Sequence, residues 1–418
     1  MRSLSPYEAV IVARADNHIY HTFVVGAHYT IPLTIEIIYE TITILCQKYP
    51  HFSLRVGSNR TCEYTSKPYI VDNTCVEVEH VDNIDSILEK YNLFKFDYAL
   101  DAPLWRVLCA DSGDGNINSL YFIVDHTYFD GTAAKNFHEL FAATIGEKPT
   151  SRLIDPNTFK PYPDPTEIMK FNKDATAAVV TSEVTPALRI PLDSKLILLP
   201  MPVHGKHIVE LGIDTTNRLL SLCRSEGVRL TSYLYSIAAK SILSALTKED
   251  TVGRLFKTMI PINTRPIDAD PQIVNFGLFF GKFFHSETTE TIHSTPIFEL
   301  ARSFQKQLQE GIPRAMHDYE VFNVRALVDK SLAEDSMVAM AERNDSPIST
   351  IAISNLGIMK TKLIDQVYFD QPLVDAYFAL HCISSSIGGL VLNFEAHRAI
   401  PDKIFNTYIK NALDLIKQ

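Results

Sequence analysis

Val124-Asp125-His126-Thr127-Tyr128-Phe129-Asp130-Gly131 joins an apolar run to an amphipathic one. Upstream, Leu120, Phe122 and Val124 share one side and Tyr121 and Ile123 the other. That pattern predicts a strand over Asn118–Asp125 covered on both faces. Downstream, Ala134, Phe137, Phe141 and Ile145 recur at helical spacing, predicting a helix over Thr132–Ile145. The turn between them falls at the carboxyl end of a buried strand, where rigid elements can fix a reactive side chain. Two readings compete for its polar residues. Asp130 can serve simply as a helix N-cap and His126 as a packed histidine, or the pair can carry chemistry. No other histidine in the chain is followed four residues later by Asp-Gly.

The 418 residues are 46% hydrophobic and 21% charged, enough for two substantial cores. The net charge of −10 and the lack of a basic run argue against nucleic acid as a partner. Met1–Asp16 carries Glu8 and Arg14 and has no apolar core of a signal peptide. No window reaches the roughly eighteen apolar residues that a spanning helix requires. Cys46, Cys62, Cys75, Cys109, Cys223 and Cys382 form no C-x-x-C pair and mostly sit in apolar patterns. They read as reduced thiols of a cytoplasmic protein. The pairs His18/His21 and His204/His207 lack an obvious third ligand, so no metal is expected.

Around this centre, Glu8–Ile31 is rich in Val, Ile, Tyr, Phe and Thr and predicts one or two strands. Leu33–Tyr49 predicts a helix ended by Pro50. Short strands are expected at Ser53–Val56 and Tyr69–Val78. Leu104–Cys109 reads as a strand joined to Asn118–Asp125 by an Asp/Gly-rich hairpin turn, with Trp105 in the core. Prolines punctuate Pro156–Pro202, which reads as a crossover with one possible helix near Thr166–Asn172. The division expected is 1–165, a linker at 166–205, and 206–418. In the second part, helices are expected at Thr215–Gly227, Thr231–Thr247, Ile297–Gln309, Asp318–Leu332 and Lys403–Lys417. Strands are expected at His207–Ile213, Arg254–Ile260, Thr350–Leu356, Phe378–Ser384 and Gly389–Glu395. The mixture favours an α+β fold of two layers over a doubly wound nucleotide fold. There is no G-x-S-x-G elbow, and Gly277–Lys282 only superficially resembles a P-loop.

Four separated segments together resemble one superfamily. They are the helix ending in Tyr49-Pro50, Pro103-Leu104-Trp105-Arg106, His126–Gly131, and Ile353-Ser354-Asn355-Leu356-Gly357. The chain resembles the CoA-dependent acyltransferases typified by chloramphenicol acetyltransferase, plant BAHD enzymes and peptide-synthetase condensation domains. The Trp-Arg strand and the Ser-Asn-Leu-Gly segment look most like the fungal alcohol acetyltransferases. Pro261–Arg265 resembles the Asn-x-Arg segment of many members. The Asp-Phe-Gly-Trp-Gly of plant members is absent, with Asn275-Phe276-Gly277 a loose echo. The chain is expected to start at the domain itself, without the extra N-terminal helix that targets some alcohol acetyltransferases to lipid particles, which counts against membrane or lipid-droplet attachment; the address expected is cytoplasmic, at most peripheral to a membrane or lipid droplet.

The resemblance implies two chloramphenicol acetyltransferase-like subdomains, a pseudo-dimer with a tunnel at their interface and the histidine loop at the seam. It implies acetyl-CoA as co-substrate, no permanently bound cofactor, and a monomer. His126 would be the general base, and Asp130 would hold the loop through an arginine: Arg265 first, with Arg106 or Arg14 as alternatives. Gly131 would leave room for the pantetheine arm. Ser354 or Asn355 would donate to the oxyanion, although Ser, Asn and Gly equally suit a turn. Lys257, Lys282 and Lys360 could meet CoA phosphates. The acceptor expected is a small hydrophobic alcohol, since Asn275–Phe284 is very apolar. The alternatives are a lipophilic amine, such as a sphingoid base or a xenobiotic, and a non-catalytic binding module of the same fold.

Overall fold

Among the described residues, eleven strands build the two larger sheets, each with its own core. The computed structural model describes residues 1–17, 22–80, 84–92, 94–111, 117–170, 187–188, 190–192, 205–266, 268–328, 347–373 and 376–418. The strands are β1 (Thr22–Leu33), β2 (Val76–His80), β3 (Trp105–Asp111), β4 (Ile117–Asp125), β5 (Gly205–Glu210) and β6 (Leu255–Asn263). They continue with β7 (Phe280–Thr288), β8 (Ser349–Met359), β9 (Ile364–Asp370), β10 (Ala376–Ser385) and β11 (Gly389–Ala396). The helices are α1 (Pro6–Asp16), α2 (Ile35–Lys48), α3 (Ile84–Asn92), α4 (Gly131–Thr144), α5 (Gly212–Ser225), α6 (Leu230–Ser244), α7 (Ile297–Val328) and α8 (Asp402–Lys417).

The first sheet has the order β9-β1-β4-β3-β2 and the second β5-β11-β10-β8-β6-β7. β3 and β4 pair antiparallel, with Trp105 opposite Val124. The turn between them, 112–116, lies outside the described residues, as do most of the crossover and the histidines at 18, 21 and 204. β9 comes from the second half of the chain yet pairs antiparallel with β1, placing Asp370 opposite Val24. That exchange stitches the halves together and puts the end of β9 beside the seam.

In the first core, Phe122 and Phe137 stack at 4.0 Å and Phe52 packs edge-on to Trp105 at 5.5 Å. The Trp105 indole N–H donates to the Phe52 carbonyl at 2.8 Å, so the single tryptophan is a satisfied core residue. The second core gathers Tyr235, Phe256, Phe304, Phe378 and Tyr408. There α8 lays Phe405, Tyr408, Ile409, Ala412 and Ile416 inward. All six cysteines are buried free thiols. No helix among the described residues is long and apolar enough to cross a membrane.

Several elements differ from their sequence expectations for identifiable reasons. The stretch from Pro6 to Asp16 is a helix rather than a strand. Ser5 accepts from Glu8 N while the Glu8 carboxylate accepts from Ser5 N, and Pro6 occupies the first turn. This capping box outweighs the β-branched run Val10-Ile11-Val12. The helices expected at Ile297–Gln309 and Asp318–Leu332 are one helix through Val328, with Pro313 inside it; residues beyond 328 are not among those described. α6 starts after Arg229 without a side-chain cap, whereas Thr231 faces Asn355. β8 does not stop at Leu356 but passes through a bulge between Asn355 and Ile358, with Gly357 at φ +74°. Tyr69–Val78 is two strands, Tyr69–Ile70 and Val76–His80, and the helix near 166 is one turn, Pro165–Ile168.

Candidate active site

The turn after β4 is pinned by its own side chains. Asp125, fully buried, accepts from Thr127 N at 2.8 Å and from the Tyr98 hydroxyl at 2.9 Å. The Tyr128 hydroxyl donates to the Arg55 carbonyl at 2.9 Å. Phe129 packs against Phe122 and Phe276. His126 is thereby held between the rings of Phe23, at 4.9 Å, and Phe280, at 5.4 Å.

Asp130 is both a cap and an ion-pair partner. Its Oδ1 accepts from Ala133 N at 2.8 Å, capping α4, and from Arg265 Nη2 at 2.7 Å. Its Oδ2 accepts from Arg265 Nη1 at 2.7 Å and from Phe279 N at 2.9 Å. Four bonds fill a carboxylate's acceptor capacity, leaving no lone pair to take a proton from a substrate. The guanidinium is itself oriented, donating through Nε to the Val274 carbonyl at 2.7 Å and through Nη1 to Asn263 at 3.1 Å. Arg106 lies in β3, and Arg14 stands on the cavity wall near His126. The connection from β6 to β7 crosses the seam to make this possible. Gly277 pairs with Phe129 and its carbonyl accepts from Asp130 N at 3.2 Å. At φ +112°, a Cβ there would lie 2.6 Å from the Phe279 ring.

A cavity opens along this seam. The first half contributes Arg14, His126, Asp130, Gly131 and Thr132, and the stretch around β9 adds Phe369 and Gln371–Leu373. The second half contributes Met259–Asn263 apart from Ile260, then Phe279, Phe280, Lys282, Phe284, Ser354, Asn355, Leu356 and His381, among others. Gly131 sits where the two walls touch, since an added Cβ would come within 2.5 Å of the Leu356 side chain. Ser354 and Asn355 both reach the cavity, but their circumstances differ. The Asn355 amide oxygen accepts from Gly357 N at 2.8 Å and its nitrogen donates to Thr231 at 3.1 Å, so it is spent on shaping the bulge. Of the three lysines, Lys282 lines the cavity, and Lys257 and Lys360 do not.

Burial drives the His126 pKa down to about 4, the Arg14 charge pushes the same way, and Asp130 opposes them in part. The imidazole is therefore neutral at physiological pH, the form that can accept a proton. Among the described residues, no group of three or more His, Cys, Asp or Glu side chains stands close enough to hold a metal ion.

Arg14, an alternative partner of Asp130 in the sequence, instead stands on the cavity wall at the end of α1, whose helix signal is Ser5-Pro6-Tyr7-Glu8. Three further contributors carry no distinct sequence signal or a weak one. Phe23 and Phe280, the walls around His126, look like any core aromatics in sequence. His381 sits in an apolar strand, and its only signal is a polar residue alternating there while Asn393 and Glu395 do the same in β11.

Two antiparallel-rich sheets meeting at a histidine-bearing seam define the fold of CoA-dependent acyltransferases and condensation domains. Solved structures agree on the fold. Trichothecene 15-O-acetyltransferase TRI3 from Fusarium sporotrichioides superposes with a TM-score of 0.70 at 12% identity, covering 100% of this chain and 94% of that one. The condensation domain of the monacolin K polyketide synthase MokA gives 0.64 at 11%, covering 100% and 97%. Polyketide synthase associated protein 5 from Mycobacterium tuberculosis gives 0.57 at 12%, covering 100% and 98%. No curated protein matches the chain at a significant level. The alcohol acetyltransferase family profile matches residues 79–401, and the chain belongs to that family. It is accordingly a CoA-dependent acetyltransferase, with acetyl-CoA the co-substrate its family implies.

Proposed function

We propose that this protein transfers acetyl from acetyl-CoA to the hydroxyl of a hydrophobic alcohol, with His126 as general base. The observation that supports this most directly is a neutral, buried imidazole on the wall of the seam cavity, on a loop held by Asp130 and Arg265. The apolar alcohol lies against Phe279, Phe280 and Phe284. His126 takes the hydroxyl proton as the oxygen attacks the thioester carbonyl. The carbonyl oxygen gains negative charge, and the Ser354 hydroxyl on the facing wall donates to it. Collapse breaks the carbon–sulfur bond, and His126 returns the proton to the departing thiolate. No acyl-enzyme forms. Residues 1–165 deliver the base and 206–418 the oxyanion donor, so one chain working as a monomer suffices.

The test incubates the purified protein with acetyl-CoA and a panel of apolar alcohols and amines, reading thiol release and acetylated product by mass spectrometry. The expected result is ester formation that His126→Ala lowers by about 10²–10⁴-fold. Product on amines alone would move the assignment to N-acetylation. Thiol release no faster than hydrolysis, and equal in His126→Ala, would leave a binding module.

A further inference from the structure

A second polar centre stands beside Ser354 on the cavity wall that faces His126, and the chemistry above does not use it. In β10 the side chains alternate. Phe378, Leu380 and Cys382 join the second core, whereas Ala379 and His381 line the cavity. The register extends this face sideways, with His381 opposite Asn393 of β11 and Ser354 of β8. One step along, Glu395 stands opposite Ala379 and Lys206.

Behind His381 lies a buried polar cluster. Lys206 Nζ lies 2.5 Å from Asp370 Oδ2 and 3.2 Å from Glu395 Oε1. Asn393 Nδ2 donates to Asp370 Oδ1 at 2.7 Å. Asp370 and Glu395 are both fully buried. Burial works to raise Asp370, but Lys206 outweighs it and holds that carboxyl below its usual range. Glu395 is pushed up, by burial first, against the pull of the same lysine. Lys206 thus stands between both carboxyls.

His381 itself is left over. It is 5% exposed, packs edge-on to Phe369, and has no hydrogen-bond partner at either ring nitrogen among the described residues. The Glu395 carboxylate is 3.6 Å from Nε2, too far for a hydrogen bond. A buried imidazole without partners is destabilising unless something in the cavity supplies them.

Resting on the O-acetyltransferase reading, we infer that His381 is the acceptor's second anchor: the alcohol this enzyme takes carries, besides the acetylated hydroxyl, a further hydroxyl that bonds the His381 ring. A hydroxyl both donates and accepts, so it matches either imidazole tautomer. A carboxylate would add an acceptor beside the carboxyls of Asp370 and Glu395, and an ammonium, a donor alone, would match only a ring nitrogen that accepts. Neighbouring strands stand about 4.8 Å apart, so His381 lies one strand from Ser354. That spacing puts the second hydroxyl a few carbons from the reacting one. His381 is thus a specificity residue, not a proton carrier.

The experiment measures kcat and KM with acetyl-CoA for a straight-chain primary alcohol and for diols bearing a second hydroxyl at successive carbons. At one spacing the diol should exceed the mono-alcohol in kcat/KM by about 10- to 100-fold, mainly through KM. His381→Leu should bring that ratio close to one, and His381→Gln, which keeps a donor and an acceptor, should retain part of it. A wild-type ratio near one at every spacing would overturn the inference, as would a ratio that survives in His381→Leu. The wild-type series decides the matter even if the leucine variant fails to fold. Absence of transfer to every alcohol, mono or diol, would instead overturn the O-acetyltransferase reading and this inference with it.

Discussion

Arg265 and Asp130, 135 residues apart in the chain, meet across the seam in a two-pronged pair with both N–O distances at 2.7 Å. The pair joins the N-terminus of α4 to the β6–β7 connection, so the position of His126 depends on both halves. Both side chains are more than nine-tenths buried. Breaking such a pair by removing one partner costs about 3–5 kcal/mol, because the other charge stays buried.

Asp130→Asn should therefore lower the urea midpoint clearly and reduce acetyl transfer, with the loss insensitive to salt. Arg265→Lys should behave similarly, since one ammonium cannot supply both prongs. Paired unfolding curves and initial rates check this. Full activity at unchanged stability in Asp130→Asn would remove the residue from its positioning role.

The acid limb of kcat/KM should lie far below the usual histidine value. His126 is active when neutral, and burial with Arg14 holds its pKa at about 4, so activity should persist as pH falls through 6.5 and fail only on approach to 4. Arg14→Met removes one downward push and should move the limb upward. Rate profiles in overlapping buffers, with stability checked at each pH, are the measurement.

Gly131→Val should depress activity through crowding against Leu356, which a Cβ would approach to 2.5 Å. The combined Gly131→Val and Leu356→Ala variant should recover part of the loss. Strict additivity in that double-mutant cycle would show that the two do not interact.

Ser354→Ala should cost about 10²–10³ in kcat with a smaller change in KM, the signature of a lost oxyanion donor. Asn355→Ala should instead lower stability, because its amide ties the β8 bulge to Thr231. Equal kcat losses with equal destabilisation in both would refute the distinction.

Stability itself should decline in acid before carboxylates matter. Burial lowers His51 to about 3 and His138 and His285 to about 4, from 6.5 in the unfolded chain. The unfolded state binds more protons in that window, so stability present above pH 6.5 is lost as pH falls toward 4. His138→Gln, which keeps partners for Tyr29 and the Val25 carbonyl, should flatten the decline in urea midpoints.

Strand β4, the turn and helix α4 were legible because local periodicity and the Asp130 cap agree with the final packing. Helix α1 was misread because three β-branched residues masked a capping signal only four residues long. The two helices expected at Ile297–Gln309 and Asp318–Leu332 are one, because a long helix with much of its surface in solvent tolerates the backbone bond lost at Pro313. In the Ser354–Gly357 segment both the strand and the turn are present, because the bulge is a turn inside a strand.

By itself the sequence determined the elements whose residues are near neighbours: alternation in β3, β4, β10 and β11, the amphipathic faces of α2 and α8, and the placement of a histidine just past a strand end. These follow from interactions a few residues long. Only the tertiary structure decided that β9 crosses to the first sheet, that Arg265 rather than Arg106 or Arg14 pairs with Asp130, and that His381 shares a cavity with His126. Those contacts join residues more than a hundred positions apart. Their partners are chosen by how two buried faces fit and by the cost of leaving charge unpaired between them, which no local pattern records.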